Sequence, residues 1–183
     1  MTGGGVDQKF HRTVPSDDTH ERDICSHCGF IDYQNPKIVV GSVVRSGNGI
    51  LLCKRAIEPR KGYWTLPAGY LEQNETPEAG ACREAYEEAC ATIKLSTLLA
   101  VYSVPRLSQV QLIYRSVLQG SYAVGEESLA VDVYGFEDIP WEEIAFPSVR
   151  WALRDDEHIH QGGTGLPFKN PDGETGTILP GQG

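Results

Sequence analysis

Three glutamates lie close together in a segment that the sequence predicts to be helical. Glu84, Glu87 and Glu88 are three and four residues apart, which places their side chains on one face of an α-helix. Like charges at this spacing repel one another, and burial would raise the pKa values of the carboxyl groups. Mg²⁺ would relieve both effects, because it prefers oxygen ligands and completes its coordination with water and substrate phosphates. Taken alone, however, the three glutamates fit a solvated acidic helix face at least as well.

Two neighbouring charges and a glycine favour the metal site over the solvated face. Arg83 precedes Glu87 by four residues, so it can hold that carboxylate in place. Glu75 lies just before the helix and can hold Arg83 or a water molecule. Together with Gly69, these residues follow the order G-x5-E-x7-R-E-x2-E-E. Six charged or glycine positions in one fixed order are too many to arise by chance.

The helix that must position these carboxylates is predicted over residues 76–89. Thr76 is a suitable N-cap, Pro77 suits the first helical position, and Glu78 interacts favourably with the helix dipole. The residues expected to pack on a sheet are mostly small and recur at helical spacing. They are Cys82, Ala85, Tyr86 and Ala89.

The remaining elements predict an α/β fold with a mixed sheet flanked by helices. Strands are predicted over 37–45, 50–55, 95–104, 110–118 and 129–136, with a tight turn at 46–49 and a second helix over 148–159. We expect three parts. They are an N-terminal extension (1–34), the main domain (35–160) and a Gly/Pro-rich tail (161–183) that forms a loose surface segment.

Composition restricts the class of protein. The chain has 183 residues, 40% of them apolar, and a net charge of -9. An acidic chain is poorly suited to binding nucleic acid through its phosphates, and no apolar run approaches the roughly 18 residues that span a bilayer. The glycine-rich, polar N-terminus is not a secretory signal. Five cysteines form no even disulfide framework, so we expect a reducing, cytoplasmic setting.

The ordered pattern from Gly69 to Ala91 resembles the Nudix box, the signature of hydrolases that cleave nucleoside diphosphates linked to another group. The family pattern is G-x5-E-x7-R-E-U-x-E-E-x-G-U, where U is apolar, and Ala85 and Ala91 occupy the U positions. The chain departs from it at Cys90, where the family has a glycine that usually ends the helix. This departure removes no ligand, although it puts the geometry of the turn in doubt. The resemblance implies a Nudix-type α/β/α sandwich.

The resemblance also implies roles for individual residues. Glu84 and Glu88 correspond to the main ligands of Mg²⁺ or Mn²⁺, with Glu87 joining when more than one ion binds. The backbone carbonyl of Gly69 or Ala68 is a further candidate ligand. The family's general base varies, and it is either a glutamate of the box or one on a later loop. On that loop we favour Glu127 over its neighbour Glu126, although Glu127 fits an exposed loop carboxylate equally well. Arg83 belongs to the catalytic set.

Flanking segments resemble a branch of the family that has a zinc-ribbon-like N-terminal piece and includes ADP-ribose pyrophosphatases and enzymes that split FAD. They are 25–28 (CSHC), 33–37 (YQNPK), 51–55 (LLCKR), 64–70 (WTLPAGY), 127–129 (ESL) and 139–146 (IPWEEIAF). Pro105 falls near a proline that is common in ADP-ribose pyrophosphatases, whereas residues 102–108 (YSVPRLS) lack the SQPWPFP motif of NADH pyrophosphatases. The expected substrate is therefore ADP-ribose or FAD, which would yield AMP and a phosphorylated second product. NADH, nucleotide sugars, nucleoside triphosphates and a non-catalytic nucleotide sensor remain alternatives.

Four residues are candidates for binding that substrate. Trp64 and Tyr102 offer flat rings on which a base or flavin can stack. Arg55 and Arg106 can meet phosphates that the metal does not cover. Each has a plainer interpretation, since Trp64 also fits a core position and Arg55 also fits an exposed strand end.

Cys25 and Cys28 form half of a zinc site, and a structural zinc needs four ligands. Related proteins carry a second cysteine pair upstream, which this chain lacks. The three nearby histidines have no matching spacing, and they are His11, His20 and His27. We therefore expect a turn with two free thiols and no zinc. The family resemblance also implies a homodimer.

Overall fold

The computed structural model describes residues 9–176. The strands are β1 (Phe10–Thr13), β2 (Arg22–Cys25), β3 (Ile31–Asp32), β4 (Lys37–Ser46), β5 (Gly49–Arg55), β6 (Trp64–Thr65), β7 (Ala68–Tyr70), β8 (Ile93–Val104), β9 (Gln109–Leu118) and β10 (Ser128–Gly135). The helices are α1 (Pro77–Ala89) and α2 (Pro147–His160), and 3₁₀ turns cover Pro105–Leu107, Phe136–Asp138 and Trp141–Glu143. Residues 1–8 of the predicted extension and 177–183 of the predicted tail lie outside the described residues.

The chain divides into two compact units between Asn35 and Pro36. The described part of the first unit contains an antiparallel sheet in the order β1-β2-β3, in which Phe10 pairs with Cys25 and Ile24 with Ile31. The sequence did not predict these strands. They are two to four residues long and half-buried or exposed, so they carry no apolar alternation.

The second unit is built on a mixed sheet, as predicted. Its strand order is β10-β5-β4-β9-β8, with β6 paired to β5 and β7 paired to β4. The β4 and β9 strands run parallel, whereas the other pairs are antiparallel. The predicted turn between β4 and β5 closes at the Ser46–Gly49 pair, and Gly47 has a φ of 59°. A glycine adopts this left-handed backbone at little cost.

Both faces of this sheet are covered by a helix. Val43 points into a core that includes Trp151 and Leu153 of α2, whereas its neighbour Val44 packs in a cluster with Ala85 of α1. This alternation follows the two-residue period of a strand. The result is an α/β/α sandwich, which confirms the predicted fold. In the part of the chain that the structure describes, no helix is long and apolar enough to cross a bilayer.

One residue, Tyr86, was predicted on the wrong face of α1. Tyr86 is 63% exposed, and the buried apolar residues of the helix are Ala81, Ala85 and Ala89. Successive helical residues are rotated by about 100°, so Tyr86 points away from the face on which Ala85 lies. The same rotation places Glu84 and Glu88 among the buried residues.

The predicted tail is not loose between residues 161 and 176. Phe168 donates its N–H to the carbonyl of Leu99 (2.7 Å) and accepts from the N–H of Val101 (2.9 Å). The side chain of Asn170 bonds both the N–H and the carbonyl of Ser103, each at 2.8 Å. The β8 strand lies at the end of the strand order, and the tail supplies partners for backbone groups that such a strand leaves unpaired.

Candidate active site

The ends of α1 are fixed by local hydrogen bonds. Thr76 is the N-cap, and its hydroxyl accepts the N–H of Ala79 at 3.2 Å, as predicted. At the other end Cys90 adopts the left-handed conformation (φ 47°), and its N–H donates to the carbonyl of Tyr86 at 2.8 Å. The cysteine therefore makes the turn that a glycine usually makes at this position, at a conformational cost.

Two carboxylates of α1 are buried beside the β7 strand. Glu84 is 7% exposed and Glu88 is 5% exposed. The Glu88 carboxylate accepts the N–H of Ala68 at 3.1 Å. Burial raises the pKa of Glu88 to about 8, and the negative charges of Glu84 and Glu127 add to this rise, whereas the Ala68 N–H opposes it. Burial likewise raises the pKa of Glu84.

Arg83 connects the glutamates of the pattern to one another. Its guanidinium bonds Glu75 (2.9 Å), Glu84 (2.7 Å) and Glu87 (2.9 Å), and it also donates to the carbonyl of Tyr70 at 3.0 Å. These bonds hold the pKa of Glu75 below its usual range. Arg83 thus orients three carboxylates and joins α1 to the end of β7. Its bonds to Glu75 and Glu87 are the ones that the sequence predicted, and the bonds to Glu84 and Tyr70 are additional.

Gly69 lets the β7 backbone lie against the Glu84 side chain. A Cβ atom built at residue 69 would lie 2.4 Å from both carboxylate oxygens of Glu84. Real Cβ atoms do not approach oxygen so closely, so any other residue would displace the carboxylate. The backbone of residue 69 and the buried carboxylate therefore occupy one small region.

A groove of ≈ 740 Å³ brings most of the predicted site residues together. We call it the carboxylate groove, and the predicted residues that line it are Arg55, Gly69, Arg83, Glu84, Glu87, Glu88, Arg106 and Glu127. Arg55 donates from Nε to the carbonyl of Pro59 at 2.8 Å, and its guanidinium lies over the ring of Phe146. Glu126, the alternative that we did not favour, is not part of the lining.

Trp64 and Tyr102 do not belong to this groove, which corrects their predicted role in binding substrate. Tyr102 is fully buried, and its hydroxyl donates to Asp155 of α2 at 2.5 Å. Trp64 is 7% exposed and packs edge-on against Tyr134. Both rings belong to the core cluster on the α2 side of the sheet. Sequence spacing cannot predict that these positions are covered by α2 and the loops that precede it, because those elements are distant in sequence.

Several lining residues were not predicted from the sequence. Gln109 and Gln111 of β9 line the groove together with Ile113, and this two-residue period of a strand is the signal that would have found them. Tyr70 also lines the groove and is 49% exposed. Phe146, the N-cap of α2, has no signal in its own neighbourhood, since only the tertiary fold brings it there.

The donor set of the groove fits a hard divalent cation. Glu84, Glu87 and Glu88 offer carboxylate oxygens, and among residues 9–176 the buried Glu88 receives a hydrogen bond only from the backbone N–H of Ala68. A bound cation would stabilise the ionised carboxylates that burial disfavours. Within residues 9–176 no three side chains form a group that could hold a metal ion as they stand, and Arg83 bonds the Glu84 and Glu87 carboxylates.

The cysteine pair of the first unit lies in a closed turn. Cys25 ends β2, and its carbonyl accepts the N–H of Gly29 at 3.0 Å. Backbone N–H groups of Cys28 and His27 lower the pKa of the Cys25 thiol. His11 bonds Ser26 at 3.2 Å. Among the residues that the structure describes, no histidine joins the two thiols to form a group of three possible ligands.

Comparison with known protein families identifies both units. A model described as "NUDIX domain" matches residues 35–153, and one described as "Nudix N-terminal" matches residues 7–34. The chain is 30% identical over 129 residues to the ADP-ribose pyrophosphatase of Methanocaldococcus jannaschii, which covers 65% of this chain and 76% of that protein. It is 42% identical over 74 residues to the NAD-capped RNA hydrolase NudC of Haemophilus influenzae, covering 38% of this chain but 27% of that protein.

Solved structures agree with these matches. The NUDIX hydrolase of Nitrosomonas europaea superimposes with a TM-score of 0.83 at 44% identity, covering 87% of this chain and 92% of that one. The likeness therefore extends over nearly the whole length of both proteins.

Proposed function

The chain belongs to the Nudix family and is a Nudix hydrolase, and from this premise we propose that it cleaves the pyrophosphate of ADP-ribose or FAD. The products would be AMP and a phosphorylated second half. The observation that carries the proposal is the convergence of Glu84, Glu88 and Glu127 with Arg55 and Arg106 in one groove. Similarity to the Methanocaldococcus jannaschii ADP-ribose pyrophosphatase supports the substrate class.

We assign the divalent cation to the acidic residues of α1. Glu84, Glu87 and Glu88, with the backbone of Gly69, would hold Mg²⁺ or Mn²⁺. When bound, the cation lowers the pKa of water and neutralises charge on the phosphates. In the reaction the oxygen of water bonds to one phosphorus while the bond from that phosphorus to the bridging oxygen breaks. Glu127, or a glutamate of the box, accepts the proton of the attacking water.

The two arginines complement the acidic wall of the groove. The pyrophosphate of the substrate carries negative charge, and a guanidinium can bond two of its oxygens at once. Arg55 is held by the Pro59 carbonyl, so it is already oriented before substrate binds. Arg106 is exposed in the 3₁₀ turn that lines the groove, so its guanidinium can contact a phosphate. With Trp64 and Tyr102 in the core, Tyr70 is our candidate for stacking on the base or flavin.

Other substrates are tested alongside these two. The complete set of box glutamates speaks against a sensor that binds without turnover, since loss of a metal ligand is the simplest way to abolish turnover. Residues 102–108 lack the motif of NADH pyrophosphatases, which speaks against NADH. The partial likeness to NudC makes NAD-capped RNA a further compound for the panel.

The test is hydrolysis of a panel of compounds with Mg²⁺ or Mn²⁺. The panel contains ADP-ribose, FAD, NADH, nucleotide sugars, nucleoside triphosphates and NAD-capped RNA, and phosphate release is measured after alkaline phosphatase treatment. We expect ADP-ribose or FAD to have the highest kcat/KM. Glu88→Gln should lower kcat by orders of magnitude with an unchanged fold. No hydrolysis of any compound, or near-normal turnover by Glu88→Gln, would contradict the proposal.

We further propose that the enzyme is a cytoplasmic homodimer, as the family resemblance implies. All five cysteines are free thiols in the structure, which suits a reducing compartment. Light scattering during size-exclusion chromatography should give twice the chain mass of 20.1 kDa. A mass equal to that of one chain at micromolar concentration would rule out the dimer.

A further inference from the structure

A second cavity, of ≈ 570 Å³, shares the side chain of Phe146 with the carboxylate groove. We call it the arginine cavity, since Arg60, Arg150 and Arg154 line it. Its volume lies within the range of about 300–1,000 Å³ that is usual for small-molecule sites. None of these three arginines lines the carboxylate groove, where the pyrophosphate is proposed to be cleaved.

The charge of the arginine cavity is opposite to that of its neighbour. The lining includes three arginines against two glutamates, Glu142 and Glu174. The carboxylate groove instead has six glutamates against three arginines. The whole chain has 16 basic and 25 acidic residues. A cavity with a positive lining on so acidic a protein is selective for an anion, because most of the remaining surface repels anions.

Arg150 is the most informative of the three arginines. Its side chain is half-buried, yet its guanidinium makes no hydrogen bond, ion pair or ring contact with any residue from 9 to 176. Partial burial of an unpaired charge is unfavourable. Arg154, four residues further along α2, lies over the ring of Trp141. This contact uses the face of the guanidinium, so the N–H groups at its edge can donate to a ligand.

The start of α2 adds to the positive potential. Phe146 provides no side-chain hydrogen bond at the N-cap, and the first turn contains no acidic residue. The N-terminus of a helix carries partial positive charge. Pro147 has no N–H, and the N–H groups of Val149 and Arg150 both donate to the Phe146 carbonyl, so the helix dipole rather than free N–H groups provides this charge. Pro147 of the first turn lines the arginine cavity, and Ser148 lines the carboxylate groove.

We propose that the arginine cavity binds the phosphate group of a nucleotide. Guanidinium groups pair with phosphate oxygens through two parallel hydrogen bonds, and the half-buried rings of Tyr63 and Phe146 in the lining can contact a ribose or base. ADP-ribose and FAD carry no phosphate beyond the pyrophosphate that is cleaved in the carboxylate groove. The phosphate in the arginine cavity therefore belongs to a nucleotide that binds apart from the substrate.

The test is a calorimetric titration of the full chain with AMP in EDTA. Without a divalent cation, the six glutamates of the carboxylate groove disfavour an anion there. We expect AMP to bind and adenosine, which lacks the phosphate, not to bind. Arg150→Gln should weaken AMP binding by about tenfold or more. Lys94→Gln is the matched control, since Lys94 is an exposed cation that lines neither cavity.

Arg150→Gln is the primary variant because its side chain has no partner to lose within the described residues. Arg154→Gln should act in the same direction, and thermal unfolding will show whether loss of its contact with Trp141 lowers stability. The proposal is overturned if AMP does not bind, or if it binds Arg150→Gln and Lys94→Gln equally well.

Kinetics test whether the cavity is separate from the substrate site, and this measurement rests on the proposed function. If Arg150→Gln raises the KM for ADP-ribose as well as weakening AMP binding, the cavity belongs to the substrate site, and the proposal of a separate nucleotide is overturned. If KM is unchanged while AMP binding is lost, the cavity binds a separate nucleotide. If ADP-ribose is not hydrolysed at all, the proposed substrate is wrong, whereas the AMP titration still decides whether this cavity binds phosphate.

Discussion

A Cβ atom at residue 69 would lie 2.4 Å from both carboxylate oxygens of Glu84, so Gly69 is required for the present position of that side chain. The relationship joins the β7 strand to α1 across the candidate active site. It gives a structural reason for a glycine 15 residues before the first glutamate of the α1 cluster. The glycine need not adopt a left-handed backbone, since what it provides is space.

Gly69→Ala should reduce activity much more than stability. The end of the flexible Glu84 side chain can move away from a new methyl group, so the fold should persist while the carboxylate leaves its place beside Arg83. We expect kcat to fall roughly tenfold to a hundredfold, as when the support of a metal ligand is lost. Gly47→Ala is a control with the opposite expected result. Alanine in the left-handed backbone of residue 47 should lower the free energy of unfolding by about 1 kcal/mol without affecting turnover. Equal turnover of Gly69→Ala and wild type would contradict the steric argument.

Glu127→Gln should lower kcat, and Glu126→Gln should not. Both glutamates are exposed neighbours on one loop, but only Glu127 lines the carboxylate groove. A general base contributes roughly 10² to 10⁴-fold, so the loss should be easily measured in steady-state kinetics. If Glu127→Gln retains full activity, the general base is a glutamate of α1. If both variants lose activity equally, the loop acts through its conformation.

Cys90→Gly should stabilise the protein. Cys90 has a φ of 47°, a conformation that is strained for a residue with a Cβ atom. Relief of this strain, less the greater freedom of glycine in the unfolded chain, should add about 0.5–1 kcal/mol to the free energy of unfolding. Cys90→Ala retains the Cβ atom and should give no such gain. Urea unfolding gives the free energy of unfolding of wild type and both variants. If Cys90→Gly is no more stable than Cys90→Ala, the backbone of residue 90 is not strained.

Glu157→Gln should lower stability at neutral pH, by an amount that shrinks in acid. Glu157 accepts a hydrogen bond from Arg45 at 2.7 Å, which holds its pKa below the ordinary value of 4.5. A carboxyl group with a lowered pKa stabilises the fold above its ordinary pKa, and this contribution is lost as the pH falls through the lowered value.

The measurement is the free energy of unfolding of wild type and variant between pH 7 and pH 3. The difference between them should be largest at pH 7 and should decline below pH 4.5. Glu137→Gln is the control, because Glu137 is exposed and forms no ion pair with a described residue. A Glu157→Gln difference that stays constant over this range would show that the ion pair with Arg45 is not its cause.

Local sequence determined the parts of this protein whose signals are local. Thr76 and Pro77 start α1 where capping chemistry places a helix start, and the turn at residues 46–49 closes the β4–β5 hairpin. The order and spacing of Gly69, Arg83 and the glutamates indicated a family whose domain model matches residues 35–153. The helix cap and the turn depend on neighbours within one helical turn or one hairpin, and the family is indicated by residue types in a fixed order, so the sequence itself contains the information for each.

Only the tertiary structure decided which side chains face the groove. Tyr102 and Gln111 pair across β8 and β9, so their side chains point to the same face of the sheet, yet the tyrosine is buried against α2 while the glutamine lines the groove. Phe146 reaches both cavities because α2 begins beside the sheet, more than 50 residues after α1 ends. Whether a side chain on one face of a sheet is buried or lines a groove depends on which elements, distant in sequence, cover that part of the face.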